Sequence, residues 1–540
     1  MSKARAIRSL TIAFAFLFPL LAFFTNLATL GLLGPDEPRY AWIARAMAQT
    51  HDWVTPRLYG QPWFEKPILY YWAAGIGFKY IRSGEIAARL PSAIAALIAT
   101  LAIAWLARRQ YGNKVAWFTM AIFPTTVGAI GFSHAATPDM LFTASLACAM
   151  AFAAAILQRG GQLRRAEAER DSQVDVNQAR IEWALFGASL GAATLAKGPA
   201  ALVLTGGSLA LWALSTKNAK VLLRFLHPVA IAAFAVVALP WYAICAARNR
   251  GFLSEFLFHQ NVHRFLTPAF QHQQPFWFFG PVILMALLPW TILLIPAGAA
   301  GLTLWRNKSW HTSPGFFLAC WAAFPIAFFS LSQSKLPGYI LPSIPPLAIL
   351  LAIGLVRWID DEIWITRYIL IGSGLTLWAI LYFFVKSYTT VVPAYLRGDL
   401  IILEFLVFFV VTVSPIVTSQ EQATGMLAAC VMFVLLIGGL ALSIADLPIS
   451  TRALVPKRPW FAGHPREPIA LYHANRNCEF GLNFYLGRQL PEWSPAIRGA
   501  ALVFTTPDGA NELSKLPSVA ASQPLGNPMC VRTEIVNVGH

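Results

Sequence analysis

Charged side chains are scarce in this chain, so those that stand beside apolar runs carry information. Asp36 and Glu37 lie in Pro35-Asp-Glu-Pro-Arg-Tyr40, directly after the first long apolar stretch. Adjacent carboxylates there can supply a general base or hold a cation. Asp36 is equally suited to cap a helix with Pro38 in its first turn. Glu65 and Lys66 follow in Phe64-Glu-Lys-Pro67; Asp139 is the only acid between Glu85 and Glu167, and Lys197 the only base between Arg180 and Lys217. A lone charge at the edge of an apolar segment is costly and marks function, although Asp139 beside Pro138 can also cap a helix and Lys197 can snorkel to an interface. Together with Arg39, Arg264 and Lys335, these residues are the types needed to activate a nucleophile and stabilise a phosphate leaving group. His259 and His263 share a helix face by their i,i+4 spacing, and His272 is near in sequence. Without an HExxH pattern, a structural or hydrogen-bonding role is expected for them.

The elements that must position these residues are membrane helices. Of 540 residues, 57% are hydrophobic and 12% charged, where a soluble domain has about 25% charged. Apolar runs long enough to cross a bilayer recur at residues 10–33, 88–107, 115–133, 139–157, 183–197, 199–215, 228–247, 276–304, 314–332, 336–356, 368–386, 400–417 and 423–445. The reading is an all-α polytopic membrane protein of about thirteen spans, N-terminus inside and C-terminus outside. Arg108, Arg109, Lys114, Arg159, Arg164, Arg165, Lys217, Lys220, Arg224, Arg306 and Lys308 then fall on inner loops, as the positive-inside rule requires.

The net charge of +16 comes without any nucleic-acid-binding signature, so lipid rather than nucleic acid is the expected counterpart. The first outer loop, residues 34–87, interleaves Arg39, Arg45, Arg57, Lys66, Lys79 and Arg82 with Trp and Tyr, and Arg89 follows just past it. Short helices lying in the interface and holding an anionic headgroup would suit that mixture. Residues 1–445 read as the membrane domain and 446–540 as a small outer α/β domain, with strand, helix and strand near 469–473, 480–486 and 500–506. Cys478 and Cys530 can pair if that tail faces an oxidising compartment; no CxxC spacing suggests zinc or redox chemistry.

At these residues the chain resembles the bacterial GT-C membrane glycosyltransferases, most closely the aminoarabinose transferases that modify lipid A. The matching pieces run from about residue 30 to 345: Pro35 to Tyr40, Phe64 to Pro67 with Tyr71-Trp72, Asp139, Lys197-Gly198, Arg264-Phe265, Phe276-Trp277 and Lys335-Leu-Pro-Gly-Tyr339. The resemblance implies a GT-C fold and sugar transfer from an undecaprenyl-phosphate donor to lipid A or another envelope acceptor, at the periplasmic face of the bacterial inner membrane. Asp36 matches the catalytic acid and Asp139 a second acidic position. Arg39, Lys66, Lys197, Arg264, Lys335 and Tyr339 would attend the donor phosphate, and Glu65 is the candidate ligand for a divalent metal. One departure stands out: Gln260-Asn261 occupies positions where that family tends to have Glu-His. Protein O-mannosylation and flipping of a lipid-linked sugar are the rival activities.

Overall fold

The computed structural model describes residues 17–169, 176–267, 273–361, 363–388, 450–455, 469–494, 501–515, 519–523 and 530–535. The expected spans at 400–417 and 423–445, the start of the first span, His272 and the boundary at 445 lie outside them.

Loop 34–87 is built from helices α1 (Asp36–Thr50) and α2 (Leu69–Tyr80). They are joined through a two-residue hairpin of strands β1 (Arg57–Leu58) and β2 (Gln61–Pro62), in which Arg57 pairs with Pro62 and Leu58 with Gln61. Tyr40, Ile43, Ala44, Tyr70, Tyr71 and Ala74 are buried, so α1 and α2 pack into the protein core. Helix α3 (Gly84–Tyr111) follows. Ser83 caps it by accepting from the Ile86 amide, Glu85 lies in its first turn and Arg108 and Arg109 in its last, each on the side the helix dipole favours. Its 28 residues reach about 42 Å, more than the roughly 30 Å of a hydrocarbon core. Ala88, Ala95, Ala96 and Ala99 are buried while Ile94, Ile98, Leu101 and Trp105 are exposed. Small residues let neighbouring helices approach, and the large apolar ones are left for lipid.

Helices α4 (Asp139–Glu169) and α5 (Val176–Lys197) pack side by side, with α6 (Pro228–Arg248) against α5. Four stretches among the described residues are long and apolar enough to cross a membrane: Gly84–Tyr111, Asp139–Arg159, Pro228–Arg248 and Pro337–Asp360. Two bent helix pairs satisfy the same test. One pair falls within the expected span at 276–304, which is bent there: Phe279–Ala286 and Trp290–Arg306 meet at 106°. Pro289 sits at that corner and has no amide hydrogen to continue the helix. Apolar length alone does not reveal such a break.

The tail forms the expected strand, helix and strand and adds two strands that weaker apolar patterning concealed. β3 (Ile469–Tyr472) runs parallel to β4 (Ala501–Thr505) through the crossover helix α7 (Arg476–Leu486). Antiparallel β5 (Val519–Gln523) and β6 (Val531–Ile535) complete a sheet of order β3-β4-β6-β5. Cys478 on α7 is bonded to Cys530 beside β6. The tail also grips the first loop. Phe480 and Phe484 of α7 share the core with α1, Asn483 donates to the Tyr59 hydroxyl (2.8 Å), and Arg452 donates to the carbonyls of Ala28 and Thr29 (2.7 and 2.6 Å).

Candidate active site

Helix α1 begins at Asp36, and its turn places consecutive side chains on different faces. Asp36 keeps about half its side-chain surface open, whereas Glu37 is 6% exposed. The Asp36 carboxylate accepts from Arg39 one turn later (2.5 Å), and Arg39 reaches Glu65 at 2.9 Å. Lys66 and Arg264 approach the same Glu65 carboxylate at 3.6 and 3.7 Å, and the Tyr40 hydroxyl at 3.5 Å. The structure thus joins three segments far apart in sequence into one network of alternating charge.

Electrostatics follow from that network. Burial works to raise the Glu65 pKa, yet Lys66, Arg39 and Arg264 overcome it and hold the group at about 2. Asp36 is pushed above its usual 3.8 by the protein packed around it, with Arg39 pulling the other way. Burial lowers Lys66 from 10.5 despite Glu65, and Arg264 is raised because Tyr339 and Glu65 outweigh its burial.

Asp139 and Lys197 meet as an ion pair. Asp139 starts α4 and Lys197 ends α5, so each charge also complements its own helix dipole. The Lys197 ammonium lies over the rings of Tyr339 (5.1 Å) and Phe142 (5.5 Å). Chain reversal after Lys197 uses Gly198 at φ +78°, where a Cβ would meet the Phe256 ring at 2.6 Å. Any side chain there would strain the turn and displace Phe256.

A cavity of about 330 Å³ opens beside the network. Lys66, Lys197, Arg264, Glu65 and Tyr339 form its polar end, while Val203, Phe256, Phe265, Phe328 and Phe329 form an apolar wall. Leu266 and Val262 at its edge are exposed. Two polar atoms of lining residues, Gln260 Oε1 and Ser334 Oγ, are buried without a hydrogen-bond partner, as in a site shaped for a polar ligand group.

Sequence candidates therefore sort by position. Lys66, Lys197, Arg264, Tyr339 and Glu65 line the cavity; Asp36 and Arg39 stand beside it through Glu65; Asp139 lies behind Lys197. Lys335 is 7% exposed and donates to the carbonyls of Ser332 (2.6 Å) and Gln274 (3.0 Å), so its visible work is to tie loops together. Gln260 and Asn261 do line the cavity, and their amides are held by Glu255 and the Phe256 carbonyl. Glu65 does not suit a divalent cation. Three cations surround it, and no group of three or more His, Cys, Asp or Glu able to hold a metal occurs among the described residues.

Sequence reasoning missed the buried support of this site. Glu37, read beside Asp36 as half of a reactive pair, is turned inward. It pairs with Arg89 (2.7 Å) and accepts from the amides of Leu33 and Ala136 (both 2.7 Å). Arg89 also donates to the carbonyls of Leu27, Leu30 and Gly31. Arg89, expected to face a headgroup, instead clamps the segment leading into α1.

This mostly helical, multi-span membrane architecture resembles the GT-C class of fold. Residues 8–254 match the family model for dolichyl-phosphate-mannose-protein mannosyltransferase (PMT). By sequence and fold the chain is ArnT-like, resembling the PMT family of GT-C membrane glycosyltransferases. It is 32% identical over 337 residues to the undecaprenyl phosphate-alpha-4-amino-4-deoxy-L-arabinose arabinosyl transferase of Erwinia tasmaniensis, covering 62% of this chain and 58% of that one. The Pseudomonas aeruginosa protein of the same name is 32% identical over 361 residues, covering 66% and 61%. The matches thus span less than two thirds of these relatives. The crystal structure of ArnT from Cupriavidus metallidurans bound to undecaprenyl phosphate superposes with a TM-score of 0.76 at 24% identity over 98% of both chains.

Proposed function

We propose that the chain transfers a sugar from an undecaprenyl-phosphate donor to lipid A or another envelope acceptor at the periplasmic face of the bacterial inner membrane. The observation that carries this reading is the cavity, cationic at one end and aromatic along its wall. A polyprenyl phosphate is an amphiphile of that shape. Three cations, Arg39, Lys66 and Arg264, face two carboxylates, Asp36 and Glu65, so one surplus positive charge awaits the single negative charge of a phosphodiester.

In this reading an acceptor oxygen attacks the anomeric carbon, and the bond from that carbon to the donor phosphate oxygen breaks with inversion. The bonding pair leaves on the phosphate, where Lys66, Arg264 and Lys197 stabilise it. Asp36 takes the proton of an acceptor hydroxyl or orients an acceptor phosphate that is already ionised. Arg39 holds Asp36 and Glu65 in place, Tyr339 positions Lys197, and Asp139 fixes the same lysine from behind. No step uses a metal. Residues 1–445 form the thirteen-span transmembrane domain of this proposal, and residues 446–540 the periplasmic one; the Cys478–Cys530 bond suits an oxidising compartment. The family match over residues 8–254 favours protein hydroxyls as the second acceptor class.

Mass spectrometry of lipid A with and without the gene tests the acceptor. A mass difference of one sugar is expected; identical lipid A, with glycosylated envelope protein lost instead, selects the second class. Turnover by purified protein in detergent, where there is no barrier to cross, separates transfer from flipping.

The pH profile is a further expected result. Asp36 acts ionised, and its pKa is raised, so the acid limb of kcat/KM lies above pH 3.8. Lys66 acts protonated, and its pKa is lowered, so the alkaline limb begins below pH 10.5. Glu65, at about 2, contributes neither limb. Rates measured across this range that place either limb on the other side of these values overturn the assignment.

A further inference from the structure

A second cavity, of about 750 Å³, lies where the first loop meets the tail domain, away from the aromatic site. Arg45 of α1, Lys79 in the last turn of α2, Arg82 just beyond it, and Arg452 line it, and Glu85 is the one acid among the described lining residues. Glu85 is already engaged: Arg452 approaches it at 3.2 Å and the Tyr485 hydroxyl donates to it at 3.2 Å. Arg45 is fixed rather than neutralised. It donates to the Phe484 carbonyl (3.0 Å) and stacks on the rings of Phe484 (4.4 Å) and Trp42 (4.8 Å). Lys79 and Arg82 are exposed and make no ion pair among the described residues.

The position of this cavity says which anion it meets. Glu85 lies in the first turn of α3, a 28-residue membrane-crossing helix, so the cavity stands at the level where hydrocarbon gives way to headgroups. Ile76 and Tyr80, beside Lys79, are 55% and 74% exposed. An apolar residue and an aromatic one flanking a cationic recess suit acyl chains below and a phosphate above.

We propose that this cavity binds the phosphate of an anionic lipid headgroup. Two sources share that chemistry, the bulk phospholipid of the surrounding leaflet and a phosphorylated lipid acceptor waiting beside the transfer site. The proposal itself needs neither donor nor turnover, so it stands or falls separately from the transfer reaction.

The test is titration of the purified full-length protein in neutral detergent with dioctanoyl-phosphatidylglycerol, dioctanoyl-phosphatidylcholine and inorganic phosphate, read by thermal shift. Saturable binding of the phosphatidylglycerol is expected, with none of the phosphatidylcholine. The double variant Lys79→Glu/Arg82→Glu, both sites being on the surface, weakens that binding by about tenfold or more. Lys79→Gln/Arg82→Gln gives an intermediate loss, and both variants keep the lipid-free melting temperature. Equal affinity in wild type and the Glu variant overturns the proposal, as does inorganic phosphate binding as tightly as the lipid. Competition by monophosphoryl lipid A identifies the acceptor as the source; its failure to compete identifies bulk phospholipid. Either result supports a lipid-phosphate site.

Discussion

Asp36→Asn lowers sugar transfer by about 10²- to 10⁴-fold, the usual range for loss of a general base, and removes the acid limb of the pH profile. The substitution keeps size and shape, and half of the Asp36 side chain is open, so the fold tolerates it. Binding of donor phosphate survives, because Lys66, Lys197 and Arg264 line the cavity independently of Asp36. The expected signature is a fall in kcat with donor KM little changed. An acceptor phosphate, being ionised already, puts the loss at the low end of that range, and a hydroxyl acceptor at the high end. Assaying wild type and Asp36→Asn in membranes with labelled donor decides the matter. Near-normal kcat for Asp36→Asn removes Asp36 from the chemistry.

The second large effect is on stability. Glu37→Ala leaves Arg89 charged and buried, 3% exposed with its partner gone, a change that costs about 3–5 kcal/mol. Arg89→Ala costs a similar amount, because it strands Glu37 and frees the carbonyls of Leu27, Leu30 and Gly31. The double variant is less destabilised than the two single costs added together, since neither charge is then left alone. Denaturant or thermal unfolding of the purified variants in detergent checks this. Additive losses would show that the two residues act separately. Activity should fall with either single change even below the melting temperature, because Asp36 follows directly on the clamped segment.

The chain's own composition and local order determined a good deal. Uninterrupted apolar runs such as residues 93–106 mark membrane helices without any tertiary information, since backbone groups in lipid must bond within their own segment. The Asn475 cap and the apolar spacing behind it place helix α7 between its strands. Isolated charges at segment ends, together with the order of the matched motifs, brought Glu65, Lys66, Lys197, Arg264 and Tyr339 forward, and all line one cavity.

Tertiary structure alone decided how those charges are used. Asp36 and Glu37 are adjacent and both acidic, yet about 100° of helix rotation between neighbours sends one towards the site and the other to Arg89. That pairing spans 52 residues, and nothing local signals it. Lys335 and Lys197 look alike in sequence, but one meets backbone carbonyls and the other Asp139. The bend between Phe279–Ala286 and Trp290–Arg306 hides inside a run that hydropathy reads as continuous. Hydrophobicity is a property of each residue and can be read along a chain; the partner of a charge depends on which distant residue the fold brings within a few ångströms, and only the assembled structure specifies that.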